Sequence, residues 1–343
     1  MVSTFVKNCW YASAWDHEVP DGVILSRQIA NESLVIYRTA TGQPTTLEDR
    51  CCHRHAPLSE GRLVGSNIQC MYHGLKFSAD GRCIEIPGQD HIPDSTRVRH
   101  FATVEQHNLI WIWLGDPASA DPALIPDAVG FDHPDWNMKG GYMRYEADPM
   151  LVADNAMDFS HITYVHPETF GGTDQWVTER PKVEYIPRGV RVSRWLKDVA
   201  PPPYLKRFKN HRGNIDRWSS YDFVVPGVLL LRSDMYPAGS DLDDKSNIIF
   251  SYFASNAMTP ESSESTHSFY RWGPRSNEDP AIVDILMDAA QAGFGEDKQI
   301  IEAQQRVVRR DPNAKMSTIG VDAGVVMMRR VFQEMLRAEN TAA

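Results

Sequence analysis

Two short segments constrain this chain more than anything else in it: Cys51-Cys52-His53-Arg54-His55 and Cys70-Met71-Tyr72-His73. Read as Cys-x-His, sixteen intervening residues, then Cys-x2-His, they offer two thiols and two imidazoles from two separate stretches. The four can act together only if the chain folds so that both stretches meet. Structural zinc also takes Cys2His2 sets, but zinc clips usually pair Cys with Cys and His with His, whereas each clip here holds one of each. The mixed set suits a [2Fe–2S] centre in which two His replace two Cys on one iron, raising its potential. Within the first clip Cys52 and His55 form a competing Cys-x2-His; the reading favoured here is Cys51 with His53.

The block resembles the Rieske non-haem iron oxygenases, whose first clip is Cys-x-His-Arg and whose second is Cys-x-Tyr-His-Gly. Cys51, His53, Arg54, Cys70, Tyr72, His73 and Gly74 match. Cys52 stands where that family commonly has proline, which leaves a spare thiol beside the centre.

At 343 residues the chain is long for one core, and two domains are expected. Its formal charge of −10 argues against nucleic acid or an anionic membrane surface as partner. No window reaches eighteen apolar residues and the first fifteen lack an apolar signal core, so a cytoplasmic protein is expected. With two cysteines used as ligands, Cys9, Cys52 and Cys83 remain, too few and too scattered for a disulfide framework.

Residues 1–120 read as a small antiparallel β domain, with strands at Ser33–Tyr37, Thr45–Asp49, Arg82–Ile86 and Leu109–Trp113 separated by glycine turns. A proline-rich connector follows, spanning 121–139, and a second domain runs over 140–343. It opens with a helical segment from Met150 that carries Asp154, Asn155, Asp158, His161 and His166. Residues 155, 158 and 161 share a helix face, but five residues rotate an ideal helix by about 500°, so His161 and His166 cannot chelate from a regular helix. Either a π-bulge separates them or the helix ends before His166.

Alternating segments at Ile215–Val225, Val228–Met235 and Ile248–Ala254 suggest a large antiparallel sheet. A long helix then runs from Asp279-Pro280 to about Arg310, with proline in its first turn. Asp297 has Phe294, Ile300 and Ile301 around it and is placed towards an apolar face, where metal coordination relieves the cost of burying a carboxylate. Glu302, among Lys298, Gln299, Gln305 and Arg306, is placed on a solvated face. A last helix, Val325 to Leu336, carries Arg329-Arg330, read as surface charge or packing.

Asn155-x2-Asp158-x2-His161-x4-His166 is a second point of resemblance to the Rieske oxygenases, where two His and a distant Asp hold mononuclear iron; the Gly295-Glu296-Asp297 context is similar as well. The resemblance spans nearly the whole chain and is strongest to the vanillate O-demethylase, toluenesulfonate methyl-monooxygenase and dicamba demethylase group. It implies an α+β protein, a Rieske β domain followed by a helix-grip catalytic domain, with His161, His166 and Asp297 on iron and Asn155 as a possible additional iron-site residue. It also implies O2, an aromatic acid whose methyl or methoxy carbon is hydroxylated, and a homotrimer in which Asp158 passes electrons from His73 of a neighbouring subunit, its carboxylate also accepting from His161. No Gly-x-Gly-x-x-Gly follows a strand and no ferredoxin-type cysteine set remains, so a separate NAD(P)H-dependent reductase carrying flavin and iron–sulfur is expected. Arg232, which interrupts the apolar run Val228–Leu231, and Asn256 are candidate substrate contacts. Competing functions are ring cis-dihydroxylation, a plain Rieske electron carrier and a hydrophobic-ligand binding protein.

Overall fold

The computed structural model describes residues 4–241 and 243–342 and divides into two compact units. One comprises Phe5–Ile125 with Thr259–Ser262; the other comprises Pro126–Met258 and the chain from Ser263 onward. The α+β class expected from the sequence is present: a small antiparallel β unit, then a sheet with helices. The division falls inside the stretch read as a connector, whose second half is not a free linker. Val129, Trp136 and Met138 pack into one buried cluster with Phe253, and a strand opens at Lys139.

In the first unit the strands are β1 (Trp10–Trp15), β2 (Ile24–Ile29), β3 (Glu32–Arg38), β4 (Pro44–Glu48), β5 (Arg62–Val64), β6 (Asn67–Gln69), β7 (Lys76–Phe77), β8 (Cys83–Glu85), β9 (His100–Gln106) and β10 (Leu109–Trp113). Six form a sheet in the order β1-β10-β9-β4-β3-β2, and β5 to β8 form a meander. The Leu-Ile-Trp-Ile-Trp run of β10 is buried along its whole length, as the absence of any polar alternation requires. The sequence reading found four of these ten strands, β3, β4, β8 and β10, and missed among others β1, whose Trp-Tyr-Ala-Ser-Ala-Trp run is buried throughout.

The second unit is built on one seven-stranded antiparallel sheet. Its strands are β11 (Lys139–Tyr145), β12 (Lys182–Ile186), β13 (Gly189–Val199), β14 (Ile215–Val224), β15 (Val228–Pro237), β16 (Phe250–Pro260) and β17 (Thr266–Pro274), in the order β11-β17-β16-β15-β14-β13-β12. Helices α1 (Pro149–Met157), α2 (Ile162–Val165) and α3 (Gln175–Thr178) lie between β11 and β12, and α4 (Ile282–Arg310) and α5 (Ala323–Ala342) follow β17. The amphipathic α4 sets Ile282, Leu286, Ala289 and Ala290 against Met235, Phe250, Tyr252 and Trp272 of the sheet. Pro280 precedes this helix rather than standing in its first turn, and Asp279 caps the approach by accepting from the Ala281 N–H at 2.9 Å.

Register fixes which side chains face α4, because strand residues alternate between faces. Ser233 pairs with Tyr252, Leu231 with Ala254 and Leu229 with Asn256, while Met235 pairs with Arg217. All of these lie on the inner face. Arg232 pairs with Ser220 and Phe253 and therefore lies on the outer one.

Candidate metal centres and active-site cavity

The two cluster loops have the same backbone. In the first, the Cys51 N–H donates to the Ala56 carbonyl (2.9 Å) and the His55 N–H returns to the Cys51 carbonyl (2.9 Å); in the second, Cys70 N–H donates to Leu75 (2.8 Å) and Gly74 N–H returns to Cys70 (3.0 Å). The fifth position closes each loop with positive φ, 59° at His55 and 77° at Gly74. Glycine tolerates that conformation freely and histidine less so. The match makes Cys51 the counterpart of Cys70, and both are buried at 2% and 1% exposure. Cys52 is exposed and His55 occupies the turn-closing position, which disfavours the competing clip.

The paired loops suit a [2Fe–2S] cluster. Burial pushes the Cys51 thiol up, the backbone N–H of His53 aimed at its sulfur pulls it down, and the neighbouring Cys70 pushes it up again. A metal at the sulfurs removes the need for both thiols to keep their protons. On the open side the His53 and His73 rings meet edge to face, centroids 4.5 Å apart. Backbone donors, buried sulfurs and exposed imidazoles are thus all supplied within Cys51–Leu75.

The second centre is assembled from distant parts of the chain. α1 starts with Pro149 behind the Asp148 cap and stops at Met157; Asp158 breaks it with φ −107° and ψ 96°. A 3-10 turn (Phe159–His161) and the short α2 follow, and α2 ends before His166. The five-residue spacing is therefore accommodated by helix breaks, the second of the two expected solutions, with an additional break at Asp158. His161 and His166 are brought to 3.2 Å between their Nε2 atoms. Asp297, from the middle of α4, stands 2.9 Å from His166 Nε2 and 3.4 Å from His161 Nε2. One ligand atom from each of the three lies within 4.8 Å of the others. Asn155 Nδ2 donates to the same Asp297 oxygen at 2.9 Å.

The protonation state reflects this crowding. Burial raises the Asp297 carboxyl, but hydrogen bonds from His161 and His166 outweigh it and hold the group far below the usual carboxylate range. Burial lowers His166, while Asp297 and Glu296 raise it further, for a net upward shift. Two imidazoles and a carboxylate clustered this way are a two-His-one-carboxylate donor set fit for ferrous iron.

The outer contacts of the two histidines differ. Nδ1 of His166 donates to Glu296 Oε2 at 2.7 Å, and Thr169 Oγ1 holds the same oxygen at 2.8 Å. Nδ1 of His161 is instead received by the main-chain carbonyl of Asp158. The sequence reading gave this task to the Asp158 carboxylate; the helix break turns the carbonyl inward, and Oδ1 of the carboxylate caps the 3-10 turn by accepting from Ser160 N (2.8 Å) and Ser160 Oγ (2.5 Å). Glu296 escaped the sequence reading because only Asp297 was assigned to the inner face of α4, yet adjacent helix residues differ by about 100° and flank one face together. Phe170 also escaped it: its ring packs 4.8 Å from His166 and passes α4 where Gly293 has no side chain, a Cβ there falling 2.2 Å from the ring.

A cavity of about 110 Å³ opens beside Asp297 and His161, lined mainly by apolar side chains of α1, α4 and the inner sheet face, with Asn155, Arg217 and Asn256 among its polar residues. Asn256 is 8% exposed and its Oδ1 accepts from Ser268 Oγ at 2.8 Å. Arg232 does not line the cavity; one residue out of phase, it lies on the other face against Asp234, 3.2 Å away. Glu302 is not merely solvated either: it receives the Glu146 N–H at 3.0 Å and pairs with Lys298 at 2.8 Å, tying α4 to the end of β11. Arg329 on α5 forms a forked ion pair with Asp154 on α1, Nε to Oδ1 at 2.8 Å, and so braces the helix that leads into the site.

Comparison with known proteins agrees with this geometry. Residues 9–101 match the Rieske [2Fe-2S] domain and residues 145–338 the vanillate O-demethylase oxygenase C-terminal domain. The chain is 35% identical to the toluene-4-sulfonate monooxygenase system iron-sulfur subunit of Comamonas testosteroni, covering 98% of each. It is 34% identical to a vanillate O-demethylase oxygenase subunit of Pseudomonas sp. HR199, covering 99% of this chain and 97% of that one. Among solved structures, dicamba monooxygenase bound to 3,6-dichlorosalicylic acid superposes with a TM-score of 0.88 at 31% identity, over 98% of this chain and 99% of the other. Two family models in tandem, full-length relatives and a donor set at each expected place leave one assignment: the chain belongs to the Rieske non-haem iron oxygenases, in the group that includes vanillate and dicamba O-demethylases and toluenesulfonate monooxygenase.

Proposed function

We propose that this chain is the terminal oxygenase of a multicomponent monooxygenase that hydroxylates a methyl or methoxy carbon on an aromatic acid, a hydroxylated methoxy group then leaving as formaldehyde. Electrons come from NAD(P)H through a separate reductase carrying flavin and an iron–sulfur centre. The cavity carries the reading, since its apolar walls meet the His161/Asp297 edge of the iron site. A mainly apolar lining with a few convergent polar groups suits an aromatic ring that carries polar substituents.

Cys51, His53, Cys70 and His73 would hold the [2Fe–2S] cluster, and His161, His166 and Asp297 the mononuclear iron. When bound, these groups supply single electrons and a site for O2 activation. The protein's own part is to exclude water and orient the ring. Phe159, Phe170, Phe294 and Trp272 wall the cavity, and Asn256, with its carbonyl engaged by Ser268, offers its amide N–H to a polar substituent.

Asp158 is proposed to connect the two centres between copies of the chain. Ser160 occupies one of its carboxylate oxygens, and the other receives no hydrogen bond from the described residues. His53 and His73 are exposed, so the ring N–H of His73 is open to a neighbouring copy. Head-to-tail contacts of this kind close into rings, here a homotrimer. Among the described residues no helix is long and apolar enough to cross a membrane.

The test is oxygen uptake by the purified chain with a generic reductase across methyl- and methoxy-substituted aromatic acids. Uptake matched by formaldehyde or a hydroxymethyl product is expected with at least one acid. A dihydrodiol product would make the enzyme a ring dihydroxylase instead. Light scattering that gives a fully active monomer would remove the trimer and the Asp158 bridge.

A further inference from the structure

Several more exposed arginines of the catalytic unit face a carboxylate: Arg191 meets Asp222, Arg232 meets Asp234 and Arg329 meets Asp154. Arg217 does not. It is 5% exposed on the inner face of β14 and lines the cavity. Its Nη2 donates to the Tyr252 hydroxyl at 2.8 Å, its Nη1 to the Phe170 carbonyl at 3.2 Å and its Nε to Ser233 Oγ at 3.4 Å. The guanidinium lies 5.1 Å from the Trp176 ring centroid. Each of these partners is neutral. Burying a charge without a counter-charge is costly, and hydrogen bonds to neutral groups offset only part of it.

A second observation falls at the same place. The hydroxyl of Tyr204 is buried, the residue being 2% exposed, and meets no partner at hydrogen-bond geometry among the described residues, Tyr252 being its nearest polar neighbour. Its ring stands 6.4 Å from that of Tyr252, the residue Arg217 already holds, and 5.3 Å from that of Trp272, which lines the cavity. Among the described residues, Arg217 is thus a cavity-lining cation without an anion, and an unpaired buried hydroxyl stands behind it, its ring beside those of Tyr252 and Trp272.

We propose that Arg217, with the hydroxyls of Tyr204 and Tyr252, is an anion subsite that takes the carboxylate or sulfonate of the aromatic substrate. A planar acid group supplies both the missing charge and acceptors for several donors at once. The remaining length of the ring then runs along the cavity under Phe170, whose main chain Arg217 binds and whose ring packs on His166. The acid is thereby fixed at one end while the opposite substituent is left to the iron site. This rests on the aromatic-acid reading above and adds to it the residues that select the acid.

Direct binding to the purified, metal-loaded protein tests it, using 4-toluenesulfonate and 4-methylbenzoate against their neutral isosteres 4-toluenesulfonamide and 4-methylbenzamide. Wild type should prefer each anion by about tenfold or more, the scale of one charged hydrogen bond. Arg217→Gln should remove that preference while leaving the neutral ligands within about twofold. The visible cluster spectrum and melting temperature show whether the variant is folded. Should it not fold, Tyr204→Phe carries the test, with a loss of about threefold to tenfold expected for the anions alone. Unchanged anion preference in a folded Arg217→Gln or Tyr204→Phe protein, or equal loss for anion and neutral ligand, overturns the subsite. Oxygen uptake with neutral rings but no anion preference in wild type would overturn the subsite and leave the oxygenase reading standing; no response to any aromatic ring would remove both.

Discussion

The two metal-binding regions hold their ligands in opposite ways. In the cluster loops the sulfurs of Cys51 and Cys70 are buried and the imidazoles of His53 and His73 are exposed, and all four proposed ligands come from one short stretch of chain. In the catalytic unit His166 and Asp297 are both buried, and the third ligand arrives from a helix more than a hundred residues later. A cluster that must meet a partner needs an open edge, whereas a site that handles a substrate needs to exclude water. The first can be written as a local motif; the second depends on tertiary packing that brings α4 across the sheet.

The largest expected effect separates the two outright. Cys70→Ser should abolish the visible absorption and the Rieske electron paramagnetic resonance signal, while Asp297→Ala should keep that signal and lower the metal content from about three irons per chain to about two. A normal signal in the first variant, or full turnover by the second, would break the division of labour. Next in size, Asp158→Asn should leave both metal contents unchanged yet slow oxidation of the reduced cluster by orders of magnitude in a single turnover. A wild-type transfer rate would show that the proposed bridge is not the route. Glu296→Ala should weaken ferrous or cobaltous ion binding to the apo chain by about tenfold to a hundredfold, the usual cost of losing a histidine's outer partner. An unchanged titration would mean that packing by Phe170 alone orients His166.

Smaller effects sharpen the comparison. Arg329→Gln should lower the melting temperature by about 2 °C, since a half-exposed pair contributes at most about 1 kcal/mol in a chain of this size. A drop in bound iron without a change in melting would instead tie the brace to the site itself. Cys52→Ser should leave the cluster signal as it is, because the exposed thiol is outside the matched loop positions. Loss of signal would favour the Cys52–His55 clip.

How far the sequence could be read follows the same line. The cluster ligands and the histidine pair are spaced by the chain itself, and the packing neighbours of Asp297 on α4 pointed it inward, so the iron ligands were legible. Arg232 was misplaced because an interruption in an apolar run was taken as a contact, when the pairing of Leu231 with Ala254 puts its neighbour on the other face. Arg217 carries no such flag: on β14 it sits between Asp216 and Trp218 in a segment whose polarity looks external, and only the sheet register turns it inward. Glu296 was passed over because only its neighbour was assigned to the inner face of α4, and the Asp158 carbonyl was out of reach because the helix break there changes which atoms of that residue meet His161. Sequence identifies the residue; the break decides whether its side chain or its backbone is used.

That interrupted helix has a consequence for length. The path from Asp158 to His166 brings two imidazoles to a common point only because its turns are counted out one residue at a time. One residue added there and wound into α2 would swing the second imidazole by about 100° away from the first. Gly213, in the long connection between β13 and β14, has open space around it and a φ of 101°. Insertions in such an open loop should be tolerated, whereas the eight steps after Asp158 behave as a fixed-length spacer, and natural or engineered length variants of this enzyme should avoid them.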